Sequence, residues 1–484
     1  MLTDSPVADL YLVLLCLLGF YGAHRLWMLR RFRWDASARI QAPGEKELPS
    51  VTVQLPLYNE RTVAARLVRS VGALDYPDEL LEIQVLDDSN DETTAIVEAE
   101  VERLRARGRN AVHVRRPDRA GYKAGALDYG MERSQGELLC IFDADFTPEP
   151  DFLKRLVPAF SDPRVGMVQA RWDHKNREES KLTRAQSTLL DGHFVIEHSV
   201  RSQSDLYFNF NGTAGVWRRD TIRDAGGWEH DTLTEDLDLS YRAQLAGWRF
   251  LYAPLVSAPA EVPPDISAFK SQQHRWAKGS VQVARKLGWR ILRAPIPFRN
   301  KLEAAAHLTG NTGYPLVLTL SVLLPLSITE HMRFGGIWHL FIFALCTLSV
   351  IVFYDRSQSA LGRSFKARWF DVLSAMSLGI GMCVSQTRAV VEGLFHKTGE
   401  FVRTPKRGDG PALGSKPART YRAVLRGIPG LELLLAAWFA YAVVRAFELD
   451  AWGSLPFLFL FLWGFAWVGG LSLKDWWRGM RRQA

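Results

Sequence analysis

Apolar and polar positions divide this chain into three parts. Residues 8–29 are almost uncharged and long enough to cross a bilayer, and a basic cluster follows them. From about residue 50 to residue 300, short apolar runs alternate with amphipathic stretches. After residue 301 the long apolar segments resume. The pattern predicts an N-terminal membrane helix with its basic flank (1–34), a polar linker (35–49), an α/β domain (50–300) and a membrane region after it.

The α/β region is predicted in more detail from its periodicity. Short apolar runs indicate strands at 51–55, 81–86, 112–114 and 138–142, and amphipathic stretches indicate helices at 60–74, 93–107 and 124–132. Strands that alternate with helices favour a parallel sheet. Ligands of such sheets bind at the carboxyl ends of the strands, so we expect the functional site at that edge.

The membrane region contains five apolar segments. Four of them, 312–328, 337–354, 431–447 and 455–473, are interpreted as spans, two within 301–355 and two within 429–484. The fifth, 370–394, carries charged and polar residues. If it lies in the interface, within the section 356–428, all the basic loops fall on the inner side together with the α/β domain. We therefore expect five spans and one interfacial helix, in a plasma (inner) membrane protein whose α/β domain is cytoplasmic. A six-span topology is the alternative.

Charge and cysteine content remove some function classes. The formal net charge is +8, but most basic clusters flank the apolar segments, which is typical of membrane topology and not of a nucleic-acid interface. The basic cluster at residues 30–33 follows the first apolar segment, whereas a cleaved signal peptide carries its positive charge before it. The four cysteines are scattered, so neither a metal site nor a disulfide framework is predicted.

Carboxylates follow two of the predicted strands. Asp87 and Asp88 end the second, and Asp143 and Asp145 come directly after the fourth. If the chain stays extended there, Asp143 and Asp145 share one face. Paired carboxylates suit Mg²⁺ or Mn²⁺, which are usually held together with substrate phosphates. A metal-bridged nucleotide diphosphate is therefore the functional interpretation, and a solvated strand-to-loop turn is the alternative.

Three further stretches contain candidate functional residues. Residues 208–215 are polar and contain Gly212, which suits close backbone approach. Thr234, Glu235 and Asp236 open a helical segment, where an N-cap and acidic residues in the first turn have a purely structural explanation. Gln272 to Trp276 lie in a basic, helical stretch.

Taken in order, these stretches form the series Asp, Asp-X-Asp, Thr-Glu-Asp and Gln-X-X-Arg-Trp. The series resembles the signature of processive, membrane-integrated family-2 glycosyltransferases of the cellulose synthase type, and is most similar to the mannan and glucan synthases. The resemblance extends from about residue 51 to about residue 408. It implies a GT-A-type (Rossmann-like) α/β domain combined with a helical transmembrane region.

The resemblance also implies roles for individual residues. Asp236 is expected to be the general base of an inverting transfer, with Glu235 and Thr234 beside it. Trp276 is expected to stack on the acceptor sugar, next to the loop residues Asn211, Gly212 and Thr213. The nucleotide-sugar site is expected to comprise Asp87, Asp88, Lys123, Asp143, Asp145, Gln272 and Arg275, with Mg²⁺ or Mn²⁺ on Asp143 and Asp145. Phe401, Thr404 and Lys406 resemble the family's gating loop.

Two enzymatic functions fit the resemblance. The first is a synthase that builds a β-linked glucan or mannan and translocates it through its own spans. The second adds one sugar to a lipid, as the related ceramide glucosyltransferases do. A non-catalytic channel or export component is disfavoured because the carboxylates are all present. UDP-glucose users and GDP-mannose users share these motifs, and UDP-glucose is slightly preferred here.

Partners follow from the same interpretation. They are a nucleotide-diphosphate sugar, a growing β-glycan or lipid acceptor, and membrane lipids, without nucleic acid. Only a short segment follows the last predicted span, so no cyclic-dinucleotide-binding domain is expected there. Because the spans are few, a partner subunit that completes a channel is a further expectation.

Overall fold

A computed structural model describes residues 6–34, 48–331, 337–395 and 428–481 of the chain. The predicted gating-loop residues Phe401, Thr404 and Lys406 lie outside the described residues, as does most of the predicted linker 35–49.

The α/β domain is built on one seven-stranded mixed sheet. Its strand order is β3-β2-β1-β4-β6-β5-β7. The first four strands are parallel, as predicted, and β7 runs parallel to β5, while β6 is antiparallel to both β4 and β5. Strands β5 to β7 were not predicted from the sequence. The strands are β1 (Val51–Leu57), β2 (Leu81–Asp87), β3 (Asn110–Val114), β4 (Leu138–Ile141), β5 (Val165–His174), β6 (Gly215–Arg218) and β7 (Arg249–Ala260).

Both faces of the sheet are covered, which explains why its strands read as continuous apolar runs. In β4, Leu138 and Cys140 belong to the hydrophobic core on one face, and Leu139 and Ile141 belong to the core on the other. All four side chains are fully buried. Because the short strand β4 lies near the middle of the sheet, its end is held rigidly, and the residues after it are placed with precision.

Sixteen α-helices are described. The N-terminal half contains α1 (Pro6–Arg31), α2 (Ala64–Gly72), α3 (Thr93–Arg105), α4 (Tyr122–Met131), α5 (Phe152–Leu156), α6 (Lys181–Asp191), α7 (Ser199–Gln203) and α8 (Arg219–Asp224). They are followed by α9 (Glu235–Leu245), α10 (Ile266–Arg293), α11 (Phe298–Thr309), α12 (Gly313–His331), α13 (Ile337–Ala360), α14 (Phe365–Phe395), α15 (Ile428–Glu448) and α16 (Leu455–Arg481). A π-helical turn, Gly192–His198, joins α6 to α7.

Five helices in the described part of the chain are long and apolar enough to cross a membrane. They are Asp9–Arg31, Phe341–Ala360, Phe365–Phe395, Gly430–Glu448 and Trp452–Arg478. These helices are compatible with an integral membrane protein. The set differs from the predicted one, because it includes α14 and omits α12, of which only the first part has described side chains.

Helix α14 is the most enclosed of the five. Within the protein, 56% of its apolar window is buried, against 22–39% for the other four. Its Gly381 packs against Gly464 and Val468 of α16, and its Gly393 packs against Lys278 and Val281 of α10. Helix α14 therefore lies between the α/β domain and the apolar helices. Its assignment as interfacial stays a prediction.

Candidate active site

One cleft of about 210 Å³ lies at the carboxyl ends of β1, β2 and β4. Its walls come from the segment after β4, the loop before β6, the start of α9 and the first half of α10. It brings together most of the predicted site residues from separate parts of the chain. These are Asp88, Lys123, Asp143, Asp145, Asn211, Gly212, Thr234, Glu235, Asp236, Gln272, Arg275 and Trp276.

The Asp143–Asp145 segment is a turn. Strand β4 ends at Ile141, and the N–H of Phe146 donates to the carbonyl of Asp143 at 3.1 Å, so the chain is not extended through the two carboxylates. Asp143 is half-exposed and forms an ion pair with Lys123 at 2.5 Å, whereas Asp145 is buried and accepts a 3.2 Å hydrogen bond from the N–H of Glu261. The sequence premise of a shared extended face was wrong. Both carboxylates nevertheless line the cleft, because the turn folds them into it.

Lys123 connects two walls of the cleft. Its ammonium also donates to the carbonyl of Gly212 at 2.9 Å. Burial alone lowers the pKa of this lysine, but Asp143, Glu235 and Asp236 outweigh that effect and raise it. Lys123 is therefore a fixed positive charge among carboxylates.

The two aspartates that follow β2 have different surroundings. Asp88 lines the cleft and forms a bidentate ion pair with Arg116, at 2.7 and 2.6 Å. Asp87 is buried behind it and is not among the lining residues. Although burial opposes ionisation, hydrogen bonds from His113 and from the Ser89 backbone lower the pKa of Asp87 to about 2. The structure thus places Asp87 behind the cleft, where it supports the strand end, and Asp88 in the cleft wall.

Asp236 and Glu235 lie in the first turn of α9. Burial, reinforced by Glu235 and Asp143 and opposed by Lys123, raises the pKa of Asp236 to about 7. Burial also raises the pKa of Glu235. One Asp236 carboxylate oxygen accepts from the N–H of Leu237 at 2.8 Å, and the other faces Gly212, where a Cβ would lie only 2.9 Å away. A carboxylate with a pKa near neutrality in a cleft is well suited to accept a proton.

The two predicted threonines, Thr234 and Thr213, have different surroundings. Thr234 occupies the N-cap position of α9, but its side chain makes no capping hydrogen bond. Its buried hydroxyl has no partner among the described residues and packs against Gly279. Thr213 does not line the cleft; its hydroxyl accepts a 2.8 Å hydrogen bond from the N–H of Asp143. Thr213 therefore orients the Asp143 turn.

Helix α10 supplies the wall that carries Gln272, Arg275 and Trp276. The Trp276 ring lies 6.3 Å from that of Trp172, measured between centroids. His274, for which the sequence suggested no role, lies 3.2 Å from Glu392 of α14. It therefore links α10 to α14.

Several cleft residues were missed by sequence reasoning. They are Tyr58, Glu60, Arg119, Trp172, His174 and Glu261. The Arg119 guanidinium lies 3.3 Å from the centroid of the Tyr58 ring, an aromatic and cationic surface beside Asp88. Tyr58 directly follows β1, at the carboxyl edge of the sheet where ligands are expected, and this position could have identified it as a candidate site residue. Trp172 and His174 lie on β5, whose existence the sequence did not reveal.

The charge of the cleft favours a bound cation. Among the residues that the structure describes, seven carboxylates but only three lysine or arginine side chains line it. An anionic diphosphate is repelled by that surplus unless a cation intervenes. Asp143 and Asp145 offer hard oxygen ligands on a rigid turn, the donor chemistry that Mg²⁺ and Mn²⁺ require. The residues therefore fit a divalent ion.

A second group of carboxylates, Glu229, Asp231 and Asp238, surrounds a lysine and needs no metal ion to balance its charge. The Lys286 ammonium lies 2.5, 2.7 and 3.1 Å from oxygens of these three residues. Lysine is thus their counter-ion.

Comparisons with known proteins identify the family of this chain. The family model described as glycosyl transferase family 2 matches residues 52–221, and that of glycosyl transferase family group 2 matches residues 138–355. Glucomannan 4-beta-mannosyltransferase 2 of Arabidopsis thaliana is 35% identical over 468 residues, which cover 91% of this chain and 85% of the relative. The chain belongs to glycosyltransferase family 2. It is an enzyme of the cellulose synthase-like type, and the predicted GT-A-type fold is confirmed.

A second plant relative and one solved structure extend the comparison. Probable glucomannan 4-beta-mannosyltransferase 3 of Oryza sativa subsp. japonica is 36% identical over 393 residues, covering 78% of this chain and 68% of the relative. The mannosyltransferase PcManGT from Pyrobaculum calidifontis, solved in complex with GDP-Man and Mn²⁺, has a TM-score of 0.57 at 23% identity. That similarity covers 81% of this chain and 100% of PcManGT, and it establishes the shared fold.

Proposed function

We propose that this family-2 glycosyltransferase transfers a hexosyl group from a nucleotide-diphosphate sugar to a growing β-linked polysaccharide, with inversion at the anomeric carbon. The observation that carries the proposal is the arrangement in the cleft. The Asp236 carboxylate, with its raised pKa, faces the same space as the Asp143–Lys123–Asp145 group and the Trp276 ring.

Each wall of the cleft supplies one part of the reaction. Arg275 presents donors in a planar fork that matches diphosphate oxygens, and Asp143 and Asp145 would hold Mg²⁺ or Mn²⁺. The cation, when bound, neutralises charge on the leaving diphosphate. Asp236 accepts the proton of the acceptor hydroxyl as that oxygen attacks the anomeric carbon. The diphosphate leaves from the opposite face, so an α-linked donor gives a β-glycosidic bond.

Lys123 has a second role in this scheme. Its ammonium holds Asp143 on one side and the Gly212 carbonyl on the other, at 2.5 and 2.9 Å. A donor diphosphate entering beside it meets a positive charge that is already oriented, which reduces the reorganisation needed for binding.

GDP-mannose is the donor that the relatives favour. The two plant relatives are described as glucomannan 4-beta-mannosyltransferases, and PcManGT was solved with GDP-Man. This evidence replaces the slight preference for UDP-glucose that the sequence suggested. A mannan or glucomannan is accordingly the proposed product, and Tyr58 with Arg119 forms the surface proposed to contact the nucleotide.

Translocation through the membrane is proposed on the placement of the apolar helices. Helix α14 connects α10 to α16 through Gly393 and Gly381, so the acceptor-binding helix is packed directly on the membrane-associated region. A cavity of about 980 Å³ between α13, α14 and α16 is lined by Trp369, Trp463 and Trp467, flat rings that suit sugar faces. Sealed proteoliposomes with the cleft outward, supplied with external donor, test this: a synthase that translocates delivers labelled polymer to the lumen.

The first experiment identifies donor and product together. Purified protein in nanodiscs, with Mn²⁺ or Mg²⁺, is given radiolabelled GDP-mannose or UDP-glucose, and the products are separated by size and by lipid extraction. A large product from GDP-mannose that β-mannanase degrades supports the proposal. A small organic-soluble product would instead establish the single-addition lipid glycosyltransferase, and polymer from UDP-glucose alone would overturn the assigned donor.

A further inference from the structure

The π-helical turn Gly192–His198 places two histidines on one face. In an α-helix, residues five apart are rotated by about 140° from each other, whereas the wider π-turn brings them one above the other. The centroids of the His193 and His198 rings are 4.3 Å apart. The turn is pressed against α13, since a Cβ at Gly192 would lie 2.6 and 2.8 Å from the rings of Tyr354 and Phe353.

Both imidazoles contact the side chain of Asn211, which lines the catalytic cleft. The Asn211 amide donates to Nε2 of His193 at 3.0 Å, and Nε2–H of His198 donates to Oδ1 of Asn211 at 2.7 Å. The backbone N–H of Asn211 donates to the side chain of Gln169 at 3.0 Å. The side-chain amide is therefore held by two partners, and the backbone of Asn211 by a third. One N–H of its NH₂ group is left after the bond to His193.

The tautomers of the two histidines follow from their other partners. Nδ1–H of His193 donates to Glu197 at 2.9 Å, so its Nε2 is a bare acceptor. Burial, together with the positive charge of Arg201, lowers the pKa of His198 well below its ordinary value, and that ring is neutral. Its single N–H is on Nε2, because Nδ1 has no hydrogen-bond partner in the part of the chain that the structure describes.

Buried charges hold this pair of histidines from behind. Arg201 is almost fully buried and donates to Glu197 at 3.1 Å and to Glu303 of α11 at 2.8 Å. Glu303 also lies 2.7 Å from Nε2 of His24 in α1. The chain of contacts therefore runs from the first apolar helix to Asn211. Because Glu197, Arg201 and Glu303 are all paired, their contacts hold the two histidines in place, as a positioning role requires.

Asn211 is close to the atoms proposed to react. It precedes Gly212, the residue that faces the second carboxylate oxygen of Asp236 and whose carbonyl accepts a hydrogen bond from the Lys123 ammonium. We propose that His193 and His198 are positioning residues of the transfer, which orient Asn211 so that its remaining N–H meets a hydroxyl of the acceptor sugar. This inference rests on the proposed function, which places the acceptor on this side of the cleft.

Matched substitutions of His198 test the inference. A glutamine amide nitrogen reaches about as far as Nε2, whereas that of asparagine reaches only about as far as Nδ1. We expect His198→Gln to keep the Asn211 contact and near-native kinetics. His198→Asn should raise KM for a β-1,4-linked manno-oligosaccharide acceptor about fivefold or more, with KM for the donor and its hydrolysis without acceptor within twofold.

Two substitutions of His193 provide an independent test. His193→Gln can still present an oxygen to the Asn211 amide, whereas His193→Asn keeps only the donor to Glu197. The acceptor KM should therefore rise for the asparagine variant and change little for the glutamine variant. If a His198 variant fails to fold, as judged by its melting temperature in detergent, the His193 pair decides the question.

A double variant shows whether the histidines act through Asn211. Asn211→Ala should raise the acceptor KM by itself, and adding His198→Asn should change it by less than twofold more, because the positioned group is already absent. Additive effects, or equal losses of donor and acceptor affinity, would overturn the inference. If the wild-type protein extends no acceptor, the proposed function fails; if it does but the variants match it, only this inference fails.

Discussion

Removal of the proposed general base is the most direct test of the chemistry. In Asp236→Asn the amide oxygen can still accept from the N–H of Leu237, a 2.8 Å bond in the wild type, so the start of α9 is kept. The change removes only the capacity to take a proton. A general base contributes about 10²–10⁴-fold to rate, equivalent to about 3–5 kcal/mol, and kcat should fall by that factor.

The pKa of Asp236 gives this test a second readout. Burial raises that pKa from the ordinary 3.8 to about 7, and the reactive form is the carboxylate. In the wild type kcat should therefore fall about tenfold per pH unit below about 7, and it should level off above. The unfolded chain releases this proton near pH 3.8 and the folded protein near pH 7, so the native protein loses stability as pH rises between these values. Asp236→Asn avoids that loss and should melt at the same temperature as the wild type at pH 8, or at a higher one.

The assay measures nucleotide diphosphate released from GDP-mannose with acceptor present, together with donor affinity by calorimetry. Asp231→Asn is the matched control. Asp231 lies five residues before Asp236, outside the cleft, and its exposed carboxylate pairs with Lys286. We expect kcat of this variant to stay within twofold of the native value. The reasoning is refuted if Asp236→Asn keeps more than a tenth of the native rate. It is refuted equally if the loss lies in donor affinity, or if the acidic limb of the pH profile persists.

Three further predictions concern the other walls of the cleft. Chelation of divalent cations should abolish transfer. Asp145→Asn should raise the Mn²⁺ concentration needed for half-maximal rate at least tenfold, as measured by metal titration. A rate that does not change when a chelator is added would contradict the proposed cation site. Trp276→Ala should raise the acceptor KM about twofold to tenfold, since a contact with an aromatic face contributes about 0.5–1.5 kcal/mol, while Trp276→Phe changes it less; equal values for the two variants would exclude ring stacking. Gly212→Ala should lower the free energy of unfolding by about 1–2 kcal/mol, because φ at this residue is +78°. It should also lower kcat beyond what this loss of stability explains, because the added Cβ would lie 2.9 Å from the Asp236 carboxylate. A native kcat with a lowered melting temperature would show that this close approach has no catalytic role.

The first half of the sheet and twelve of the residues that line the cleft could be predicted from the sequence. Strands β1 to β4 were predicted within a few residues because both faces of the sheet are buried, which leaves continuous apolar runs between turn signals. The motif residues were identified because their types and order are specific to one family. Strands β5 and β7 were not predicted, although they are ten and twelve residues long, and the family motifs give no signal for them.

The orientation and the environment of these residues depend on the tertiary structure. Two adjacent aspartates, Asp87 and Asp88, look alike in sequence, but alternation along the strand end turns one toward His113 and the other toward the cleft. The Asp143 turn replaced the expected extended segment. The raised pKa of Asp236 arises from burial beside Glu235, an effect of desolvation that no local pattern encodes. The two histidines converge on Asn211 because a π-turn changes their spacing, and that turn packs against α13.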